Sequence, residues 1–327
     1  MHWTTTLSSA VSKAFAAALI VSAGTLAQAA DYPDRPIKII VPFPAGSGTD
    51  TSARITGQTL TEQTKQAVVI DNRAGASGFI AAQAAAAAPP DGYTVFITTN
   101  TTHAANAALF KRLPYDPIKD FAPVSLLGKS GLVLVVRPDS PYKSAGDLIK
   151  YARANPEKLT FAGGSSSTRI AGEMFKEAAG SHAVYVPYKG VPQALSDLIG
   201  GQFDFMIADV NPALPLIQQG KLKALAVTTA KRFGLLPDVP TLAESGLPGF
   251  EMVAWSAAFV PAGTPRPIID RLNQLIRAGQ KSKTYQEFSA RSGGEAAAGS
   301  PEELAAYVRS ETEKWAKAVK AAGIEPE

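Results

Sequence analysis

Ile37-Lys38-Ile39-Ile40-Val41-Pro42-Phe43-Pro44-Ala45-Gly46-Ser47-Gly48-Thr49-Asp50 sets the reading of the whole chain. A run rich in β-branched residues breaks at two prolines, and a small polar loop then opens a helical stretch reaching about Gln66. Strand, loop and helix form a βα unit, and outward from it the pattern recurs. Further strands are predicted at 67–71, 93–98, 132–136, 159–162, 184–186, 203–208, 222–227 and 257–260. Between them, helices are predicted from about Phe79 to Pro89-Pro90, over 144–155, up to about Ala179, and over 193–199 and 212–219. Two more follow, over 267–282 and 301–322. Proline stops the alanine-rich helix because it cannot donate to, or fit within, a continuing helix. Such alternation predicts an α/β protein whose sheets are mostly parallel and flanked by helices.

The chain has 327 residues, 46% of them hydrophobic and 18% charged. A single core stops growing near ~250–300 residues, so two lobes are expected. No long linker separates them, and crossovers are expected near Gly128–Gly131 and Lys231–Leu236. One lobe then comprises 30–129 with 232–327 and the other 130–231, a two-lobed clamp with its cleft between. The absence of cysteine excludes disulfide scaffolds, zinc ribbons, iron–sulfur clusters and thiol nucleophiles. Three histidines, one of them His2, leave little for a multi-histidine metal site, so no metal and no cofactor is expected. Basic residues are scattered without aromatic interleaving, which argues against nucleic acid.

Residues 1–29 hold one basic residue, Lys13, and no acid. Ala14 to Val21 is an apolar run, and Ala27-Gln28-Ala29 matches a small-residue cleavage site. The run is too short for the ~20 residues of a membrane helix. A cleavable export signal is expected, with cleavage after Ala29 and a periplasmic product. Loss of Lys13 takes one basic residue from 32 against 28 acids, and the formal charge falls from +4 to +3.

Two loops carry the candidate chemistry. Ala45-Gly46-Ser47-Gly48-Thr49-Asp50 and Gly163-Gly164-Ser165-Ser166-Ser167-Thr168 each follow a strand and open a helix. The first turn of a helix has unpaired N–H groups and a positive dipole end, which favour a carboxylate or phosphate. One loop on each lobe would grip an anion from both sides; the competing reading is helix capping by Ser47, Thr49, Asp50 and Ser165. Asp50 is either a ligand contact or a cap, and Asp209, at a strand end, either faces the cleft or does not. Arg169 either pairs with a carboxylate or is solvated, and Tyr188 and Phe43 either stack on a ligand or line the core. Nucleotide motifs fail on spacing, since Thr51 stands where a third glycine is needed and no Gly-Lys-Ser/Thr closes either loop. Neither serine loop has the G-x-S-x-G elbow of a serine hydrolase.

The motifs Tyr32-Pro33-Asp34-Arg35-Pro36, Val41-Pro42-Phe43-Pro44-Ala45-Gly46 and Asp71-Asn72-Arg73-Ala74-Gly75-Ala76-Ser77-Gly78 continue in order along the chain. They are followed by Pro90-Asp91-Gly92-Tyr93, Val186-Pro187-Tyr188-Lys189-Gly190, Leu236-Pro237-Asp238-Val239-Pro240-Thr241 and Pro261-Ala262-Gly263-Thr264-Pro265. With these, the chain closely resembles the periplasmic solute-binding proteins of tripartite tricarboxylate transporters, the Bug or TctC-like family. The resemblance implies a two-lobed periplasmic binding fold of type II character that closes on its ligand. It also implies that Phe43 to Asp50 and Gly164 to Thr168 hold a carboxylate, with Thr101, Thr102 and Asp209 nearby. Two departures stand out: Ser47 where many relatives have glycine, and Arg169 near a position where many have histidine.

The expected function is a non-enzymatic receptor, a monomer, that captures a small organic carboxylate and delivers it to membrane permease subunits. Di- and tricarboxylates, acidic amino acids and aromatic carboxylates all suit such a pocket. Two other readings remain at this point: the clamp reports to a signalling partner, or Ser165 or Ser166 acts with His182 or His103 in a secreted hydrolase.

Overall fold

The computed structural model describes residues 32–291 and 294–327. The expected export signal, residues 1–29, lies outside the described residues. Strand β1 (Ile37–Val41) leads into helix α1 (Gly48–Thr64), followed by β2 (Val68–Asn72), α2 (Phe79–Ala86) and β3 (Thr94–Thr99). β1 is apolar almost throughout because both faces are covered. Ile37, Ile39 and Val41 pack with Leu60 and Leu272, while Ile40 packs on the other side with Phe96. β1 pairs in parallel with β2 and with β3. After β3 the chain makes one π-type turn, Thr101–Ala105, and a short helix α3 (Asn106–Leu109).

Strand β4 (Phe121–Val136) is the longest of the described strands, at 16 residues. It is followed by α4 (Ala145–Ala154), β5 (Thr160–Gly163), α5 (Ser166–Ala179), β6 (Val184–Pro187) and α6 (Val191–Ile199). Then come β7 (Phe205–Asp209), α7 (Val210–Gln218), β8 (Lys223–Val227) and β9 (Val253–Pro261). The chain ends with α8 (Arg266–Gln280), α9 (Lys283–Arg291), β10 (Gly294–Ala296) and α10 (Pro301–Ala321).

The strands run in the order β2-β1-β3-β9-β4-β7-β5-β6, with β8 and β10 also paired to β4. Each end of this curled sheet is parallel, as expected: β2-β1-β3 at one and β7-β5-β6 at the other. The middle is antiparallel, because β4 and β9 carry the chain across and back. Residues 121–131 of β4 pair with β9, whereas residues 132–136 pair with β7 and 133–136 with β8. One strand therefore belongs to both lobes. The sequence predicts only its last five residues, because the rest carries Pro123, Gly128 and Gly131. Proline is tolerated here at an irregularity: the β4–β9 register shifts between Pro123 and Ser125 and again between Leu126 and Gly128.

The stretch between β8 and β9 packs back on the end of β8. Val227 bridges Thr241, and the Met252 N–H donates to Thr228 O. α10 covers the crossing strands, and Glu311 on it accepts from both Trp255 Nε1 (3.0 Å) and Trp315 Nε1 (3.1 Å). Among the described residues, no helix is long and apolar enough to cross a membrane.

Candidate functional site

Both Gly-containing loops sit where the two lobes face each other, but their polar groups are largely engaged within the protein. In the first loop the Ser47 hydroxyl caps α1 by accepting from the Asp50 N–H (3.2 Å). Asp50 is 2% exposed. It accepts from the Gly46 N–H (2.9 Å), Arg54 Nε (3.0 Å) and Asn72 Nδ2 (3.0 Å). Desolvation raises its pKa, but these bonds outweigh it and hold the carboxyl below its ordinary range. Asp50 thus fixes the loop.

The second loop is capped in the same way. Ser165 and Thr168 form a reciprocal capping box at the start of α5. The Gly164 and Ser165 N–H groups, expected to face an anion, both donate to Thr168 Oγ1 at 3.0 Å. Two fewer amides are available to a ligand than the sequence suggests, because a threonine hydroxyl three residues into a helix reaches back to the loop by itself.

The lobes touch directly. Asn100 Nδ2 donates to Ser167 Oγ (2.7 Å), and Ser166 Oγ donates to Asn106 Oδ1 (3.0 Å). Pro44 of the first loop packs on Gly190: a Cβ on Gly190 would lie 2.3 Å from Pro44 Cγ. Gly190 in turn packs on Gly164, where a Cβ would lie 2.3 Å from the Gly190 carbonyl carbon. Glycine at both positions lets three backbone segments meet.

Two cavities open on either side of this contact, sharing Phe43, Gly164 and Ser165. The larger is a cleft of about 610 Å³, walled by Gly75–Phe79 and Thr101 from one lobe and by Ser166, Arg169, Tyr185 and Tyr188 from the other. The smaller, about 90 Å³, is lined by Ser47, Gly48, Thr49, Ser167 and Asp209 together with Lys129 and Glu295. Small-molecule sites occupy ~300–1,000 Å³, which only the larger reaches. Two residues that line the larger cleft carry a buried polar atom without a hydrogen-bond partner, Thr101 Oγ1 and Arg169 Nε. In the smaller cavity Asp209 is half-buried, and desolvation pushes its pKa up to about 6.

The candidate residues therefore separate. Phe43, Gly164 and Ser165 line both cavities; Thr101 and Ser166 line the larger; Ser47, Gly48, Thr49, Ser167 and Asp209 line the smaller. Ala45 and Gly46 are exposed and line neither. Asp50, Thr102 and Thr168 are buried and line neither, and their side-chain oxygens are held by the protein itself. The contribution of Gly75 to Phe79 was not read from the sequence as part of the site. Its signal was the small, Gly-rich stretch after the second strand.

Neither hydrolase serine has a histidine partner among the described hydrogen bonds. His103 is fully buried, stacked on Phe259 with ring centroids 3.9 Å apart, and burial pushes its pKa down to about 3. Its Nδ1 meets the Thr102 hydroxyl at 2.9 Å. His182 is exposed, on the turn before β6.

A family model described as "Tripartite tricarboxylate transporter family receptor" matches residues 52–324. Among solved structures, Rpa4515 of R. palustris with adipate is 38% identical with a TM-score of 0.88, covering 90% of this chain and 100% of that one. The periplasmic binding protein BugD is 34% identical with a TM-score of 0.86, covering 90% and 100%. MatC from Rhodopseudomonas palustris with bound malate is 33% identical with a TM-score of 0.82, covering 88% and 100%.

Proposed function

The chain belongs to the tripartite tricarboxylate transporter receptor family, and from that membership we propose that it captures a small organic carboxylate and delivers it to membrane permease subunits. The family's fold is that of a periplasmic binding protein, and periplasmic export fits the small-residue signal at the N-terminus. The observation that carries the ligand class is the cleft that both lobes line, with the buried, unmatched Thr101 hydroxyl on one wall and Arg169 on the other. A buried donor without a partner is costly, and a carboxylate supplies acceptors. The smaller cavity sets two acids, Asp209 and Glu295, against Lys129, whereas the larger sets Glu327 against Arg169 and Lys189, a balance that favours an anion in the larger. The adipate and malate held by the relatives are both carboxylates, which supports the reading.

Binding works by population shift. A ligand that touches both walls favours the closed arrangement, which the transporter then recognises. The lobes we propose are 30–129 with 232–327, and 130–231. The change of partner along β4 supports the first limit, while the Val227–Thr241 bridge argues for a return nearer Met252. The ligand contacts we propose are Phe43, Thr101, Gly164, Ser165 and Ser166.

A thermal-shift screen of carboxylates on the full chain tests the reading. A true ligand stabilises by about 2.7 kcal/mol at a hundredfold excess over its Kd. Thr101→Val, nearly isosteric, is expected to weaken the best ligand roughly fivefold, the effect of about one net hydrogen bond. A screen without any carboxylate response would overturn the function; an unchanged affinity in the variant would remove the larger cleft as the site.

A further inference from the structure

Arg169 and Glu327 meet in the larger cleft, and neither capping nor core packing accounts for them. Arg169 sits near the start of α5 with its side chain 19% exposed, and its guanidinium carbon lies 5.1 Å from the centre of the Tyr185 ring. Nη1 donates to Glu327 Oε1 at 2.7 Å, whereas the buried Nε has no hydrogen-bond partner. The neighbouring acid on the same helix, Glu173, is paired with Lys176 instead. Glu327 arrives from the opposite wall: its N–H donates to Leu109 O (2.9 Å), and its carbonyl accepts from the Lys111 N–H (2.8 Å).

The pair is one-sided. The cation is mostly buried, while the Glu327 side chain is 58% exposed. A guanidinium stays charged at any physiological pH and presents a planar fork of five donors that matches a carboxylate. Here one donor meets a carboxylate through a largely solvated partner, a type of pair that contributes little. The fork is left partly unmatched in the wall of a cleft large enough for a small molecule. A side-chain carboxylate already occupies the position, so the geometry displays the chemistry that the place accepts. The ring of Tyr185, which also lines the cleft, backs the cation.

We propose that Arg169, backed by Tyr185, forms a second anion subsite that takes the distal carboxylate of a dicarboxylate ligand, displacing the Glu327 side chain. The inference rests on the carboxylate-receptor reading above and narrows it. One carboxylate meets the wall that carries Thr101, and the other meets Arg169 on the opposite lobe. A dicarboxylate then ties the lobes together, replacing the weaker tie through Glu327. A monocarboxylate engages one wall and leaves the Arg169–Glu327 pair in place.

Calorimetric titration of the full chain with adipate, succinate, hexanoate and butyrate at neutral pH tests this. The expected result is that at least one diacid binds tenfold or more tightly than the monoacid of equal length. Arg169→Met should abolish that preference by weakening the diacid at least tenfold more than the monoacid. Glu327→Gln, at an exposed position that leaves the fold intact, should tighten the diacid severalfold by removing its competitor, with no effect on the monoacid. Equal binding of diacid and monoacid, or a preference that survives Arg169→Met, overturns the subsite while leaving the receptor function standing. Weaker diacid binding in Glu327→Gln overturns it as well. A protein that binds no carboxylate overturns both.

Discussion

His103 is fully buried and Asp209 half-buried, and desolvation moves the two ionisable groups in opposite directions. Burial disfavours the charged form of either, so the acid is lifted to about 6 and the histidine lowered to about 3. The two have opposite effects on stability. Between its ordinary value of 6.5 and about 3, His103 binds a proton in the unfolded chain but not in the folded one. It therefore costs stability progressively as pH falls through that window. Asp209 binds a proton in the folded state between about 6 and its ordinary 3.8, where the unfolded chain has lost it. Its contribution is full below 3.8 and is lost as pH rises through 6. Asp209→Asn, which cannot ionise, is thus expected to match the parent below pH 4 and to exceed it increasingly up to pH 6, with a plateau above. Urea melts at pH 4, 5.5 and 7 measure this, and a variant less stable than the parent at pH 7 would count against a desolvated Asp209.

At the scale of elements, helix starts decide most of what the loops can do. Asp50 joins three pieces of structure through one carboxylate: the Gly46 amide, Arg54 on α1, and Asn72 at the end of β2. Asp50→Ala takes the acceptor from these three donors, of which Arg54 is more than half exposed and can turn to water, and is expected to cost about 2 kcal/mol in chemical denaturation, the scale for hydrogen bonds to a charged group in a partly solvated place. A loss below about 1 kcal/mol would show that the loop holds itself. Before the structure, Asp50 had two readings, ligand contact or cap, and only its three donors decide between them. The βα units were legible because β1 and β5 are buried on both faces and bounded by proline or glycine loops, signals that act locally. The first part of β4 was not. Its alternation is interrupted by Pro123, Gly128 and Gly131, and the residues become a strand only because β9 returns beside them from more than a hundred residues later in the chain. For the site, the loops were found correctly as places, but their free amides were not. Thr168 Oγ1 takes two of them, a local hydrogen bond that a pattern of serines and threonines does not announce. The Arg169–Glu327 contact joins positions 158 residues apart and has no local signature at all.

For the molecule as a whole, the question is what holds the lobes against each other. Asn100 with Ser167 and Asn106 with Ser166 are hydrogen bonds that cross between them, and Pro44 packs on Gly190 at the same place, with no room for a Cβ. Gly190 allows this contact to be tested cleanly. Its backbone is extended, at φ −173°, a conformation that alanine adopts without strain. A methyl group there would meet Pro44 Cγ at 2.3 Å and Pro44 Cδ at 2.7 Å, with Pro192 Cδ next at 3.8 Å. The cost of Gly190→Ala therefore falls on the contact between lobes and hardly on α6, which begins at the next residue. If ligand capture requires closure, the variant's binding-competent population falls, and apparent affinity falls by the same fraction. Tenfold weaker binding of the best carboxylate is expected, with a larger radius of gyration in solution scattering. Pro44→Ala alone removes the ring that the methyl strikes, so the double variant Gly190→Ala, Pro44→Ala should recover most of the affinity. Unchanged binding in Gly190→Ala would separate ligand capture from lobe contact. Weak binding that persists in the double variant would place the damage in α6 and not between the lobes.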